Sequence, residues 1–391
     1  GWEVKYARLK EPGGKIIADY DVHPLRLYTY SPSFSGRVTR EELEQHLLSD
    51  PSRPDAIPFH FRNQYRHWAP EWGFCLTQRE RDALQDGTYE VEIETKFVES
   101  EMKMALQTHE GENSDCLLLV GHFDHPAMAG DGLIGCLAGH EAINRLAQRQ
   151  TRLTYRMLST VEIVGSVFYA GRLARAHGVR EALFSATSGV KAPLVYARTA
   201  HETAGIDQVM NHVLKHCGEP SDTVNFRGTI GNDEIAYDVH GVDIPCGSLV
   251  RWPHPNYHTH HDTAETMSDD HMESYINTLL SVINVLENNS VLTGTFGSLP
   301  QLGHPDIDLY LSQGAVSGVP EEQTAVAQVL MERLPDEASR LAVQRSTANF
   351  NIMMTLIPPF ADGLHTTLDI AERAGVPFAL VDAYTELWQE K

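Results

Sequence analysis

Leu117, Leu118, Leu119 and Val120 form an unbroken apolar run, and after a Gly-rich turn Leu133, Ile134, Leu137, Ile143 and Leu146 recur at helical spacing. A strand that is apolar on both faces must be covered on both. Such a run followed by an amphipathic helix therefore specifies a strand of a parallel sheet and its crossover helix. The unit repeats. Residues 155–161 lead into a helix after Gly165, a third strand covers 182–185, and a fourth, 248–251, precedes a long helix carrying Ile276, Leu279, Ile283 and Leu286. Repeated strand-then-helix units predict an α/β domain with a mostly parallel central sheet flanked by helices. Its ligand site is expected at the carboxyl ends of the strands.

At 391 residues the chain exceeds the ~250–300 residues at which single cores stop growing, so further domains are expected. The region before the first buried run has a different character. Thr39 with Glu42 and Thr77 with Glu80 each form a capping box before a short helix. Tyr89, Val91, Ile93, Thr95 and Phe97 alternate with mostly charged residues, the period of an antiparallel strand with one wet face. This is a small α+β region. From about residue 320 the pattern turns helical, and Leu368 to Val376 followed by Phe378, Leu380, Val381 and Leu387 reads as helix, Gly-containing turn, helix.

Charge and cysteine content narrow the function. With 31 Lys+Arg against 53 Asp+Glu, the net charge of -22 repels phosphate backbones and anionic membranes, so neither nucleic acid nor membrane is expected as a partner. Residues 325–391 alone carry 5 Lys+Arg and 9 Asp+Glu, a net of -4, so the C-terminal helix-turn-helix is expected to pack against protein rather than to read DNA. The 5 cysteines are odd in number and scattered without a CxxC pair, which suits reduced thiols in a cytoplasmic protein. No apolar run reaches the ~18 residues that a membrane helix needs.

Imidazoles and carboxylates cluster just after the predicted strands. His122, Asp124, His125 and Asp131 follow the first buried run on a turn loosened by Gly130 and Gly132. Glu162 follows the second. Asp233 and Glu234 lie in a later loop, and His258, His260, His261 and Asp262 come after the fourth strand. Oxygen and nitrogen donors without thiolate point to zinc, with manganese or cobalt as other possibilities. One or two His with two carboxylates leave a position open, which is the catalytic rather than the structural pattern. Taken singly, His260 and His261 are expected in solvent, and Glu162 could equally be a helix-terminal acid.

The order His-x-Asp, Gly-Asp-Gly, Glu-x-x-Gly-Ser, Tyr-His-Thr and Asp-Thr resembles the zinc aminopeptidases of clan MH. The whole chain resembles bacterial aminopeptidase-like proteins that carry an inserted small domain and a C-terminal winged helix. The strings that carry this include Tyr30 to Pro32, Asp55 to Pro58, Trp72 to Leu76, His122 to Gly132, Pro245 to Arg251, Tyr257 to Thr259 and Asp369 to Gly375. The resemblance implies that residues 1–18 open the aminopeptidase-like domain, whose N-terminal part is expected to be missing. It makes 19–108 the inserted small α+β domain, 109–318 the catalytic domain and 319–391 the winged helix. It makes His122 a zinc ligand oriented by Asp124, with His125 also in support, Asp131 a carboxylate bridging two metals, and Glu162 and His258 ligands of the second site.

Two departures from the pattern bear on the chemistry. Val161 stands where the resemblance places a general base, and Val190 aligns with a further acidic ligand. One zinc ion is therefore favoured over two. Asp233 and Glu234 become candidates for the base, and Arg251 and Tyr257 for holding an oxyanion or a substrate carboxylate. The expected activity is metal-dependent hydrolysis of a small amide, peptide-like or aminoacyl compound, by a chain that could be a homo-oligomer and could belong to a biosynthetic pathway. The alternatives are a mononuclear-zinc cyclase or acyl-transfer enzyme, and a binding scaffold with a degraded metal site. The inserted run with Arg62, Tyr65, Arg66 and Trp72 is expected to reach over the site as a lid.

Overall fold

Residues 1–311, 325–334, 340 and 349–391 are described by the computed structural model. The first layer is built by period-two alternation. Strands β1 (Trp2–Lys10), β2 (Ile16–Asp19) and β3 (Phe34–Thr39) are followed by helix α1 (Arg40–Glu44), β4 (Leu47–Leu48), α2 (Arg62–Tyr65), β5 (Phe74–Cys75), α3 (Gln78–Asp82) and β6 (Thr88–Phe97). Both expected capping boxes form, at Thr39 and Thr77. Four of the strands make an antiparallel sheet in the order β2-β1-β6-β3. Ala7 and Leu9 of β1 and Tyr89, Val91 and Ile93 of β6 point into one apolar cluster. Residues 1–18, expected to open the large domain, belong to this small sheet instead: β1 pairs with β6 from Trp2 opposite Phe97 to Lys10 opposite Glu90. The reason is the alternation of β1, which buries one face and can cap only a half-wet sheet.

The second layer starts with β7 (Ala105–His109), β8 (Cys116–His122), α4 (Leu133–Leu146), β9 (Thr154–Thr160), α5 (Val164–Arg172) and β10 (Val179–Ser185). It continues with β11 (Leu194–Ala197), α6 (Gly205–His216), β12 (Ser221–Val224), α7 (Glu234–Tyr237), β13 (Cys246–Arg251) and α8 (Asp269–Asn288). The sheet order is β12-β11-β13-β10-β8-β9-β7. The pairs β8 with β9, β8 with β10, β10 with β13 and β11 with β12 are parallel, whereas β11 meets β13 and β7 meets β9 in antiparallel register. All seven residues of β8 are buried. Leu117 and Leu119 pack on the face carrying α4, α6 and α8, and Leu118 and Val120 on the face carrying α5 and α7.

The chain ends in β14 (Val291–Thr293), α9 (Ala325–Arg333), α10 (Phe350–Phe360), β15 (Asp362–Thr366), α11 (Thr367–Ala374) and α12 (Phe378–Gln389). Gly375, in the left-handed region at φ 65, closes α11 and turns the chain into α12. Leu368, Ile370, Leu380, Val381, Tyr384 and Leu387 of this helix pair join the same apolar cluster as α4, α6 and α8. The expected boundary at residues 318 and 319 lies outside the described residues. Among the described residues no helix is long and apolar enough to cross a membrane. All five cysteines are free, and Cys217 alone is not fully buried.

Candidate metal centre

The carboxyl ends of β8, β9 and β13 converge on one buried cluster. His122 is the last residue of β8 and has no exposed surface. Its Nδ1 meets Asp233 Oδ2 at 3.1 Å and its Nε2 meets Asp131 Oδ1 at 3.3 Å. His125 lies 3.0 Å from the Asp131 carbonyl through Nδ1, and its Nε2 is 2.9 Å from Glu162 Oε2. His258 arrives from the loop after β13 and brings Nε2 to 2.9 Å from Asp131 Oδ2.

The loops that deliver these groups are held by carboxylates and by glycine. Asp262, fully buried, accepts the backbone N–H groups of Gly130 at 2.7 Å and Asp131 at 2.9 Å. A Cβ at Gly130 would collide with Asp262 and His254, and one at Gly132 would overlap the His122 ring. The turn after β9 carries Ile163 at φ 54, a conformation that a β-branched side chain adopts only at a cost of about 1–3 kcal/mol. Asp233 Oδ1 accepts the Ile163 N–H at 3.0 Å, and Asp124 Oδ1 accepts the Glu162 N–H at 2.8 Å, so two acids fix the strained turn that aims Glu162. His258 is also held at positive φ, 56, with the Tyr257 ring stacked on it at 3.9 Å.

Burial opposes charge on His122 and His125, yet without metal their carboxylate partners shift both rings upward: His122 well above the usual imidazole range, His125 up to about 10. Asp131 is driven the other way, burial being outweighed by His122, His125 and His258. Glu162 is likewise lowered against burial, chiefly by His125.

A divalent ion fits this donor set better than a proton network does. His122, His125 and Asp131 each offer a ligand atom, all within 4.8 Å of one another. Asp131 Oδ2 and His258 Nε2 face each other across 2.9 Å, but neither atom, though buried, makes a hydrogen bond of acceptable geometry. Orphaned buried polar atoms are rare in proteins, and a shared cation satisfies both.

The structure redistributes several expected roles. Asp124, expected to orient His122, instead holds the Glu162 amide, and the orienting carboxylate on His122 is Asp233. That commits both Asp233 oxygens and removes it as a base. Glu234 is also committed: its two oxygens accept the Asn232 N–H at 2.9 and 2.8 Å, and Arg227 caps it at 3.0 Å. Arg251, expected to hold an oxyanion, is fully buried and fastened to Glu219 and to the carbonyls of Ser188, Ala192 and His271. It is a strut behind the site. The Tyr257 ring stacks on His258, and its hydroxyl is pushed up by burial and by the charges of Asp131 and Glu162.

Val190 is buried and supplies no ligand. His260 holds the Ile57 amide through Nδ1 at 3.0 Å, and His261 is exposed. The inserted segment reaches the centre through Phe59 and Phe61, which were not singled out for it, with Tyr65, which was, packed beside Phe61. Phe59 donates its N–H to the His258 carbonyl at 2.9 Å and sets its ring 5.4 Å from His125 and 5.3 Å from His258. Phe61 lies 5.3 Å from His258, with Tyr65 beside it at 6.1 Å. Trp72, expected in the lid, is sandwiched between Phe34 and His46 inside the small domain.

Residues 10–289 match the family described as "Domain of unknown function (DUF4910)". The chain belongs to that family. A Clostridium acetobutylicum protein named for polysaccharide biosynthesis and an aminopeptidase-like domain is 28% identical to this DUF4910 chain over 381 residues, 96% of this chain and 80% of the relative. A crystal structure of a candidate peptidase from the same organism superposes with a TM-score of 0.79 at 24% identity, covering 100% of this chain and 82% of that one. The zinc aminopeptidase of Bacillus subtilis superposes with a TM-score of 0.54 at 12% identity, over 73% of this chain and 84% of that one. The DUF4910 chain thus has the zinc-aminopeptidase fold, with the cluster at its sheet's carboxyl edge.

Proposed function

We propose that this protein is a zinc-dependent hydrolase of a small amide, peptide-like or aminoacyl compound. The observation that carries the reading is the orphaned, buried pair Asp131 Oδ2 and His258 Nε2 in the midst of His122, His125 and Glu162. Asp131, Glu162, His122 and His258 would hold the ion, and His125 ties Asp131 to Glu162 within the cluster. Bound zinc would supply Lewis-acid polarisation of a carbonyl and a more acidic water. The likeness to a protein named for an aminopeptidase-like domain and to a zinc aminopeptidase supports the same reading.

The chain's own groups divide the rest of the work. Asp233 fixes the His122 tautomer and the Glu162 turn together. Asp124 keeps its second oxygen without a partner among the described residues and is the acid left to accept a proton from water, since Val161 cannot. Tyr257, stacked on His258, is the hydroxyl we assign to donate to the developing oxyanion. Phe59 and Phe61 cover the imidazoles and keep bulk water from them. The winged-helix reading of 319–391 belongs to the same proposal, as a module that packs on the catalytic domain.

Elemental analysis of protein purified without chelators, repeated for His258→Ala, tests this. One zinc per chain is expected, lost or strongly weakened in the variant, together with cleavage of small aminoacyl amides. Two zinc ions would make the centre co-catalytic. Val161 and Val190 favour a cyclase or acyl transferase as the second reading, which one zinc without hydrolysis would support. No zinc, even when it is offered, would leave a binding scaffold.

A further inference from the structure

His258 stands in a turn at φ 56, so the direction of its ring is set by the two peptide planes that flank it and not by a helix or strand. The plane before it carries the Tyr257 carbonyl, and the plane after it carries the His258 carbonyl. Both are held from the inserted region. Arg53 donates through Nη1 to the Tyr257 carbonyl at 2.7 Å, and Phe59 donates its N–H to the His258 carbonyl at 2.9 Å. Among the described residues neither carbonyl accepts from any other group. Since φ and ψ are the rotations that relate two rigid planes, these two bonds fix the conformation of His258 itself. A left-handed backbone on a residue other than glycine persists only where its surroundings over-determine it.

The two sides of the hold are built differently. Downstream it is backbone pairing: His260 donates its N–H to the Ile57 carbonyl at 3.1 Å and accepts the Ile57 N–H on Nδ1 at 3.0 Å, and Pro58 and Thr259 form an antiparallel bridge between them. Upstream it is the Arg53 side chain. That side chain is braced, because Nε donates to Asp50 Oδ2 at 2.7 Å while Asp50 Oδ1 accepts the Ser52 N–H at 2.9 Å and the Ser52 hydroxyl at 2.6 Å. One planar group therefore spans from Asp50 to the loop, a reach in two directions that an ammonium does not reproduce.

We propose that Arg53 is a positioning residue of the metal centre: its bond to the Tyr257 carbonyl, together with that of the Phe59 amide to the next carbonyl, holds His258 Nε2 at Asp131 Oδ2. The inserted region is then part of the metal site without supplying a ligand, and an ion is retained only while residues 53–59 are seated on the His258 loop. The inference rests on the zinc reading above, and its test reads metal binding rather than turnover.

Metal-free protein titrated with cobalt(II), whose visible absorption reports the ligands around the ion, and zinc affinity measured by chelator competition test this together. Arg53→Ala is expected to bind zinc about 10- to 100-fold more weakly, the range for groups that orient a ligand, and to shift the cobalt band toward that of His258→Ala. Methylguanidine added to Arg53→Ala should restore both. Arg53→Lys, which reaches Asp50 or the carbonyl but not both, should fall between. Arg79→Ala is the control, since Arg79 pairs with Asp55 beside the same segment, is 72% exposed and has no bond to the His258 loop among the described residues; it should match the native protein. A native cobalt band in Arg53→Ala overturns the proposal, and so does weaker zinc binding with an unchanged band, which marks a merely structural role. No metal bound by the native protein, or equal binding by the native protein and His258→Ala, removes the zinc reading and this inference with it. Loss in His258→Ala without loss in Arg53→Ala removes the inference alone.

Discussion

At the residue scale the centre depends on side chains that never touch a substrate. Asp262 receives two consecutive amides and thereby sets Asp131, so Asp262→Asn, which turns one acceptor into a donor facing N–H groups, is expected to weaken zinc binding about 10- to 100-fold while leaving the fold intact. Competition against a chelator of known affinity measures this. A pH dependence follows from the raised imidazoles. Free of metal, His125 keeps its proton up to about 10, so its pairing with Asp131 and Glu162 stabilises the folded chain fully below the unfolded value of about 6.5 and is lost as pH rises through about 10. The proposed ligand His122, raised likewise by Asp131 and Asp233, must give up its proton to hold zinc. Apparent zinc affinity is therefore expected to rise between pH 6.5 and 8.5, by about tenfold per pH unit for each proton released, and calorimetry in buffers of different ionisation enthalpy counts the protons. An affinity flat with pH would show the rings neutral beforehand. Of these residues, the cluster of His122, Asp131, Glu162 and His258 was legible in sequence because each follows a strongly patterned strand. The holding roles of Asp233 and Asp262 were not, since their partners His122, Gly130 and Asp131 lie 111, 132 and 131 residues away, where local pattern does not reach.

Elements were legible in proportion to how strongly their burial patterns them. β8 stands where a continuous apolar run predicts it, β9, β10 and β13 where the repeated strand-then-helix pattern does, and α4 and α8 where helical spacing does. β7, β11 and β12 were missed. β7 is a largely exposed edge strand, and β11 and β12 are four residues each, too short for periodicity to show. The membership of β1 in the small sheet was also hidden, because its pairing with β6 spans most of the inserted region. At the C-terminal end, α12 carries Asp382, whose carboxyl is pushed up to about 6 by burial first and then by Glu386, against an opposing bond from Asn288. A raised acid costs the folded state nothing below its unfolded value of 3.8, and the penalty grows as pH rises from there and is complete above about 6. Asp382→Asn is thus expected to stabilise the chain by about 1 kcal/mol at pH 7.5, after allowance for solvent at a partly exposed site, and to have no such effect near pH 4. Melting curves of both proteins at the two pH values check the sign.

Across the whole molecule, one apolar cluster runs from β8 and β9 through α4, α6 and α8 to α10, α11 and α12. The tie is polar as well as apolar, since Tyr384 donates its hydroxyl to the Leu309 carbonyl at 2.7 Å and the Phe378 amide is received by His212 of α6 at 2.9 Å. Leu380→Ala, at a fully buried position far along the chain from His122, is expected to cost about 2–5 kcal/mol. It should lower the melting point of the metal centre and of the C-terminal helices together, in a single transition seen alike by zinc release and by circular dichroism. Two separated transitions would show that the last helices fold apart from the sheet. The same continuity reaches into how the chain is made. A ribosome delivers β8, its ligand His122 and the covering helices α4, α6 and α8 long before Leu380 and Leu387, so the outer side of that helix layer waits uncovered until α11 and α12 clear the exit tunnel. Synthesis stalled near residue 300 is then expected to leave a chain that recruits chaperones, and emergence of α11 and α12 to discharge them.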